Sequence, residues 1–232
     1  MTLEKTHRSI RSFVLRQGRI TPAQQRAIND LWPQYGLTLP SSPSWLHWDQ
    51  IFGRDAPRVL EIGFGMGDPL VAQAKANPEI DFIGVEVHQP GVGHCLATAQ
   101  KCEVKNLKVF CADAVEVFRH IPPQSLDKVL LLFPDPWPKK KHHKRRLVQP
   151  DFVMLIAEKL KSHGLFHLAT DWQPYAEHML TVCEACPLLV NQFGVNHFAP
   201  TSLERLQTKF ERRGEKLGHV IYDLVFFALK EV

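Results

Sequence analysis

Short apolar runs alternate with longer mixed stretches from residue 57 onward. The apolar runs are rich in Val, Ile, Leu and Phe, and they predict buried strands at residues 58–62, 82–87, 108–112, 128–133 and 165–169. The stretches between them predict helices at residues 69–76, 91–104, 114–120 and 150–162, the last with Gly164 as its C-terminal cap. Strands that alternate with helices at this interval are typical of a parallel sheet with helices on both faces.

The two ends of the chain extend this pattern. Thr21 followed by Pro22 predicts the start of a helix, and a further helix is expected from Asp171 to about Cys186. The apolar run 220–229 predicts a final strand of the sheet, for which an antiparallel direction is open. We therefore divide the chain into a basic N-terminal arm and linker, residues 1–50, and an α/β domain, residues 51–232.

Charge is distributed unevenly along the 232 residues. The net charge is +4, yet residues 139–146 carry +6 and residues 1–20 carry +4, so the rest of the chain carries −6. An acidic body with two basic patches favours a polyanionic partner that binds at defined places. A charge run can also be an ordinary solvated surface, and that alternative stays open.

Composition excludes several classes of protein. Hydrophobic residues make up 44% and charged residues 22%, values typical of a globular protein. No apolar run reaches the ~18–20 residues of a membrane helix, and the N-terminus lacks a signal core. The odd number of cysteines, five, fits a reducing cytoplasm, and Cys183-x-x-Cys186 lacks the second pair that a metal site needs. We expect a cytoplasmic protein with no metal and no membrane partner.

A glycine-rich turn follows the first strand of the domain. Gly63, Gly65 and Gly67 are spaced G-x-G-x-G, whereas a dinucleotide fingerprint is spaced G-x-G-x-x-G. A nicotinamide-dependent oxidoreductase is therefore disfavoured. Glycines at this position let the backbone approach a ligand closely, and the spacing favours a ligand without phosphates.

Acidic residues lie near the ends of four consecutive predicted strands. They are Glu61, Glu86, Asp113 and Asp135. Each alone can be a helix N-cap, but ligands of open α/β sheets bind at this edge. Four acids suit an amine, ribose hydroxyls and an adenine amino group together, which predicts S-adenosyl-L-methionine as the cofactor and S-adenosyl-L-homocysteine as its product.

A proline loop, residues 134–139, follows the fourth of these strands. Three prolines restrict its backbone, and it carries Asp135 and Trp137. Trp137 is expected either at the site or in ordinary packing. Six cations follow within eight residues, a density that matches phosphates better than a small substrate.

Together these motifs resemble the bacterial tRNA (guanine-N7-)-methyltransferases over nearly the whole chain. The resemblance includes residues 11–19, 61–67 and 134–139, Thr170-Asp171-Trp172, and the segment 208–214. It implies a class I methyltransferase (Rossmann-like) fold, a mostly parallel seven-stranded sheet with helices on both faces. It also implies methyl transfer from S-adenosyl-L-methionine to N7 of the guanosine at position 46 in the tRNA variable loop.

The resemblance assigns roles to individual residues. Asp135 would be catalytic, and Glu61, Gly63, Gly65, Gly67, Glu86, Asp113 and Asp135 would bind the cofactor. Lys139, Asp171, Thr208, Lys209, Phe210 and Glu211 would bind the substrate, and Lys141, His142, His143, Lys144, Arg145 and Arg146 the tRNA. Asp171 can instead be a helix N-cap, and Thr208 with Glu211 a capping box.

Other functions remain open at this level. One is a class I methyltransferase that acts on another RNA, a small molecule or a protein, and another is a non-catalytic tRNA-binding module. Either a monomer or a homodimer is compatible with the sequence. Guanine N7 carries a free lone pair, so the expected reaction needs no prior deprotonation of the base.

Overall fold

The computed structural model describes residues 12–13, 19–200, 211 and 218–229. In this part of the chain the strands are β1 (Gly36–Leu37), β2 (Arg58–Ile62), β3 (Asp81–Glu86), β4 (Leu107–Cys111), β5 (Leu126–Leu132), β6 (Leu160–Thr170), β7 (Leu189–Asn191) and β8 (Tyr222–Ala228). The α-helices are α1 (Pro22–Tyr35), α2 (Trp48–Phe52), α3 (Asp68–Ala76), α4 (Gln89–Lys101), α5 (Ala114–His120), α6 (Pro150–Lys159) and α7 (Gln173–Glu184). A 3₁₀-helix, Lys140–Arg145, is called the basic helix below.

All eight described strands form one sheet, in the order β1-β4-β3-β2-β5-β6-β8-β7. The first six in this order are parallel, and β8 runs antiparallel between β6 and β7. The expected mostly parallel α/β sheet is confirmed, as is a final strand within residues 220–229. The expected number of seven strands is wrong, because Gly36 and Leu37 pair with β4 and add an edge strand.

Helices cover both faces of this sheet. Alternate residues of each strand point to opposite faces, so Val59 and Leu60 belong to two different cores. One core contains Leu70 of α3 and Leu96 of α4, and the other contains residues of α5, α6 and α7. Both cores are continuous with the strands whose carboxyl ends carry the predicted acids.

Residues 21–50 pack on the same sheet. Thr21 caps α1 in a capping box with Gln24, as the sequence predicts. Tyr35, at the end of this helix, is buried and donates its hydroxyl to the carbonyl oxygen of Val104 at 3.0 Å. Trp48 is also buried and donates to the Ser125 hydroxyl. The described part of the predicted arm and linker therefore contributes to the core.

The end of α6 differs from the prediction. The helix stops at Lys159, and β6 begins directly at Leu160, which pairs with Leu126. Gly164 lies inside β6 rather than at a helix cap. A Cβ on Gly164 would lie 3.0 Å from the carbonyl oxygen of Lys161, so the glycine serves a close backbone approach beside the shift of register in this strand.

The described residues contain no membrane-spanning helix, no metal-binding cluster and no disulfide. No helix among them has both the length and the apolar composition needed to cross a membrane. No group of three or more His, Cys, Asp or Glu side chains in this part of the chain is arranged to hold a metal ion. All five cysteines are free thiols.

The side chain of Asn106, which directly precedes β4, binds the connection between α3 and β3. Its Nδ2 donates to the carbonyl oxygens of Ala74, Asn77 and Ile80 at 2.7–2.9 Å, and the residue is buried. We predict that Asn106→Ala lowers the free energy of unfolding by about 2–3 kcal/mol, because buried carbonyls lose their donor. Urea denaturation measures this, with exposed Asn29→Ala as the matched control. Equal stability of the two variants would contradict the prediction.

Candidate active site

A cavity of about 610 Å³ lies at the carboxyl ends of β2, β3, β4 and β5. Its volume is within the usual range of small-molecule sites. The ends of all four strands contribute to its wall, as expected for an open α/β sheet. Among the residues of that wall are Ser12, Phe13, Gly63, Gly65, Glu86, Asp113, Asp135, Trp137 and Leu147.

The glycine loop, residues 63–67, forms one side of the cavity. Gly63, Gly65 and Gly67 have φ angles of 74°, 60° and 80°, a left-handed conformation that glycine adopts without strain. Gly91 of α4 packs so closely on the carbonyl oxygen of Gly65 that a Cβ there would clash. Gly67 caps α3 and is not among the described residues that line the cavity. The third glycine is thus required by packing against Cys95.

Glu86 connects the glycine loop to the turn after β3. Its Oε2 accepts a hydrogen bond from the N–H of Gly65 at 2.9 Å. Its Oε1 accepts from the N–H groups of Val87 and His88 at 2.7 and 2.9 Å. A carboxylate offers about four acceptor positions, so roughly one is left for a ligand in the cavity.

Asp113 is a helix N-cap and also lies on the cavity wall, the two positions that the sequence left open. Its Oδ1 accepts from the N–H of Val115 at 3.0 Å, which makes Asp113 the N-cap of α5. Asp113 also lines the cavity at the end of β4. The N-cap bond fixes the side chain beside the cavity and occupies only one of its two oxygens.

Glu61 lies below the cavity rather than on the described part of its wall. It is 4% exposed, and its Oε2 has no hydrogen-bond partner among the described residues. Burial, and then the negative charge of Glu86, raise the pKa of Glu61 from 4.5 to about 7. The structure therefore brings Glu61 and Glu86 close together, in a place that favours a nearby positive charge.

The proline loop has an unusual backbone. Phe133, immediately before it, and Trp137 within it have φ angles of 54° and 45°, which are rare for residues with a side chain. Phe133 is fixed by donating its N–H to the carbonyl oxygen of Ala169 at 2.7 Å. The loop holds Asp135 at the cavity wall while leaving its side chain exposed to solvent.

Trp137 connects the cavity wall with the basic helix and with the N-terminal segment. Its Nε1 donates to the carbonyl oxygen of Ser12 at 3.0 Å. The guanidinium of Arg145 stacks on its ring at 3.9 Å, and the ring of His142 meets its edge. Packing and a place at the site are therefore combined in this residue.

The basic segment, residues 139–146, contains four exposed lysines, which are Lys139, Lys140, Lys141 and Lys144. His142, His143 and Arg145 are half-buried, whereas Arg146 is buried at 3% exposure. The cations next to His142 contribute, after desolvation, to a lowered pKa of its ring. The sequence resemblance assigns residues 141–146 to tRNA binding and Lys139 to substrate binding, but burial separates Arg146 from the others.

Asp171 lies at the end of β6, beyond the described wall of the cavity. Trp172, not Asp171, occupies the N-cap position of α7, so the alternative of a helix cap is not what the structure has. Asp171 Oδ2 lies 3.2 Å from His219 Nδ1. Of the substrate residues in the later segment, Glu211 is described and half-buried, while Thr208, Lys209 and Phe210 lie outside the described residues.

Sequence analysis missed several residues at this site. Ser12 and Phe13 line the cavity although they lie more than a hundred residues from their partners, which are Trp137 in the proline loop for Ser12 and Arg145 in the basic helix for Phe13. No local pattern signals such a contact. Gly91 supports the glycine loop, and its signal is a glycine inside a predicted helix, where the residue is usually unfavourable without a packing reason.

Comparison with known proteins identifies the family. A family model described as "Putative methyltransferase" matches residues 55–224. The tRNA (guanine-N(7)-)-methyltransferase of Alkalilimnicola ehrlichii is 56% identical over 220 residues, covering 94% of this chain and 92% of that protein. Proteins of the same name from Pseudomonas syringae pv. syringae and Klebsiella pneumoniae are 54% and 53% identical, each covering 96% of this chain, with 91% and 93% of their own lengths covered. The chain belongs to the tRNA (guanine-N7-)-methyltransferase family.

Membership in the tRNA (guanine-N7-)-methyltransferase family confirms the resemblance seen in the sequence motifs. The chain is an enzyme of this methyltransferase class, and the match extends well beyond the glycine loop on both sides. The predicted roles of individual residues are a separate matter and remain proposals.

Solved structures show the same fold. The 16S rRNA methyltransferase KamB superposes with a TM-score of 0.57 at 16% identity, covering 79% of this chain and 93% of that one. A mutant 16S rRNA (adenine(1408)-N(1))-methyltransferase from Catenulisporales acidiphilia, crystallised with the cosubstrate SAM, gives 0.51 at 15% identity, covering 79% and 90%. These superpositions show that the chain has the class I methyltransferase fold.

The raised pKa of Glu61 has a consequence for stability. Because the folded chain favours the protonated carboxyl, the contribution of Glu61 to stability is greatest below about pH 4.5 and is lost as pH rises through about 7. Without cofactor, we predict that Glu61→Gln is more stable than wild type at pH 8, by roughly 3 kcal/mol at most, and similar at pH 5.

Thermal unfolding of both proteins at the two pH values measures this difference. Exposed Glu79→Gln is the matched control and should follow wild type at both values. A Glu61→Gln variant whose advantage is the same at pH 5 and pH 8 would show that Glu61 does not titrate in this window.

Proposed function

We propose that this enzyme transfers a methyl group from S-adenosyl-L-methionine to N7 of the guanosine at position 46 in the tRNA variable loop. The observation that carries this proposal is the continuity of two features. Asp135 lines the cavity at the carboxyl end of the sheet, and four exposed lysines begin four residues further along the same segment. A small-molecule site and a phosphate-binding surface thus share one rigid loop.

The residues of the cavity fit S-adenosyl-L-methionine. Gly63 and Gly65 leave room for a ligand against the backbone, and Glu86 retains an acceptor position suited to a ribose hydroxyl. Asp113 would accept from the adenine amino group. Glu61, buried with one oxygen unpartnered among the described residues, would receive the positive charge of the amino group. A molecule without phosphates suits this acidic wall.

The reaction requires little proton transfer by the protein. When bound, S-adenosyl-L-methionine supplies an activated methyl group. Guanine N7 carries an exposed lone pair in the major groove and needs no general base. Positive charge develops on the purine, so the protein's task is to orient the base and to place negative charge beside it. We assign that charge to Asp135.

Recognition of guanine requires an acceptor for its N1–H and its amino group. Adenine has no donor at N1, so a carboxylate there discriminates between the two bases. Asp135, Asp171 and Glu211 are the candidate acceptors. Asp171 is oriented by His219, which contacts one of its two oxygens.

The tRNA is bound, in this proposal, by the exposed lysines and by the half-buried side chains of His142 and Arg145. Extruding the base from the tRNA core costs a few kcal/mol, which phosphate contacts offset. We place the reaction in the cytoplasm, where tRNA is found and where five free thiols stay reduced. Both a monomer and a homodimer are compatible with this scheme.

The decisive experiment incubates the protein with methyl-labelled S-adenosyl-L-methionine and unmodified tRNA, followed by nucleoside analysis. We expect labelled 7-methylguanosine at position 46 only. Asp135→Asn and Asp135→Ala should lower kcat by about 10²–10³-fold, because an electrostatic contact to the transition state is lost. Exposed Asp30→Asn serves as the matched control. Absence of 7-methylguanosine would refute the function, and near-native turnover by the Asp135 variants would remove that carboxylate from the mechanism.

Binding of tRNA should depend steeply on salt. About five cations on phosphates give a slope of roughly −4 in a plot of log K against log salt concentration. We predict that the double variant Lys141→Gln/Lys144→Gln flattens this slope by about 1.5. Filter binding at several salt concentrations measures it.

The control for the salt experiment is Lys75→Gln/Lys101→Gln. These lysines lie in the last turns of α3 and α4, at the opposite edge of the sheet. The control should retain the slope of the wild type. Identical slopes for all three proteins would exclude the basic helix from tRNA binding.

A further inference from the structure

Arg146 is the one residue of the basic segment whose surroundings do not suit an RNA contact. It is 3% exposed, whereas the lysines before it in the chain are open to solvent. A buried cation loses hydration, and its burial is tolerated only when its donors find acceptors. The acceptors of this guanidinium therefore indicate what it does.

Among the described residues, three groups accept from the guanidinium. Nε donates to the carbonyl oxygen of Pro136 at 3.0 Å, and Nη1 donates to that of Pro174 at 3.5 Å. Nη2 lies 3.2 Å from Nε2 of His143, which must be the acceptor because arginine has none to offer. The guanidinium also lies over the ring of Tyr175, 4.8 Å from its centre.

The proline loop needs such a donor. Proline carries a carbonyl but no N–H, so a loop with three prolines has more acceptors than donors in its own backbone. The carbonyl of Pro136 is held from outside the loop by Arg146 Nε. One planar side chain with donors in several directions suits this task better than a lysine.

One carbonyl lies in the proline loop, which carries Asp135, and the other lies in the first turn of α7, which follows Asp171. Pro136 directly follows Asp135, and Pro174 lies three residues after Asp171. Arg146 thus bridges the segment after β5 and the segment after β6. We propose that Arg146 is a positioning residue. It fixes the proline loop against the first turn of α7 and thereby sets the position of the Asp135 carboxylate.

This proposal rests on the proposed function, since it assigns a role in the same methyl transfer. It differs from the sequence-based expectation, in which Arg146 contacts tRNA. The two roles give opposite kinetic results. A positioning residue affects kcat at saturating tRNA, whereas a phosphate contact affects tRNA affinity and the salt dependence of binding.

The test uses Arg146→Lys, which retains the charge but loses the planar set of donors. We expect kcat at saturating tRNA to fall at least tenfold, since a displacement of about 1 Å in a catalytic group can cost 10²-fold. The salt slope of tRNA binding should equal that of wild type, and the affinity for S-adenosyl-L-methionine should stay within twofold of it. The comparison is Lys144→Gln, on the basic helix that Arg146 directly follows, for which we expect weaker tRNA binding and a flatter slope.

A double-mutant cycle distinguishes positioning from a general structural effect. In an Asp135→Asn background, Arg146→Lys should lower kcat by less than threefold, because the carboxylate that it positions is already gone. An undiminished effect in that background would overturn the proposal. So would a variant that keeps kcat while its tRNA affinity and salt slope both fall, or one that changes nothing.

A second pair of variants covers the case in which Arg146→Lys does not fold. His143→Leu removes one acceptor from the guanidinium and should lower kcat, whereas His143→Gln provides an amide oxygen and should retain it. Equal kcat for these two variants would overturn the proposal. Failure of the proposed function is recognised separately, because wild-type protein would then form no 7-methylguanosine.

Discussion

Three backbone N–H groups converge on the carboxylate of Glu86, and the geometry of the cavity depends on this convergence. They come from Gly65 in the glycine loop and from Val87 and His88 in the turn after β3. One side chain thereby joins the ends of two neighbouring parallel strands. Since these half-buried N–H groups would lose their acceptor without it, this carboxylate stabilises both the loop and the turn.

The opposite wall follows a different rule. The proline loop has few backbone donors of its own. Arg146 donates to the carbonyl of Pro136 from outside the loop, and Trp137 within it donates to the carbonyl oxygen of Ser12. The same tryptophan carries the stacked guanidinium of Arg145 on its ring. Contacts of Trp137 and Arg146 therefore connect the cavity wall with the cationic surface. These contacts keep the basic segment and the cavity in a fixed relative position.

Much of this architecture could be predicted from the sequence, because strand periodicity and the glycine spacing are local signals. Parallel strands bring their carboxyl ends to one edge, so Glu86, Asp113 and Asp135 meet at the cavity as expected. Burial of charge was not predictable. A run of cations in a sequence predicts an exposed surface. Only the tertiary fold brings the carbonyls of Pro136 and Pro174 to Arg146.

The backbone of the proline loop has a consequence for the cost of assembling the site. Proline fixes φ before the chain folds, so this segment gives up little conformational freedom when it is ordered. The unusual φ of Trp137 is maintained by contacts within the protein itself. Binding free energy is then not consumed in arranging this wall, and preorganisation of this kind leaves it available for drawing a base out of a folded nucleic acid.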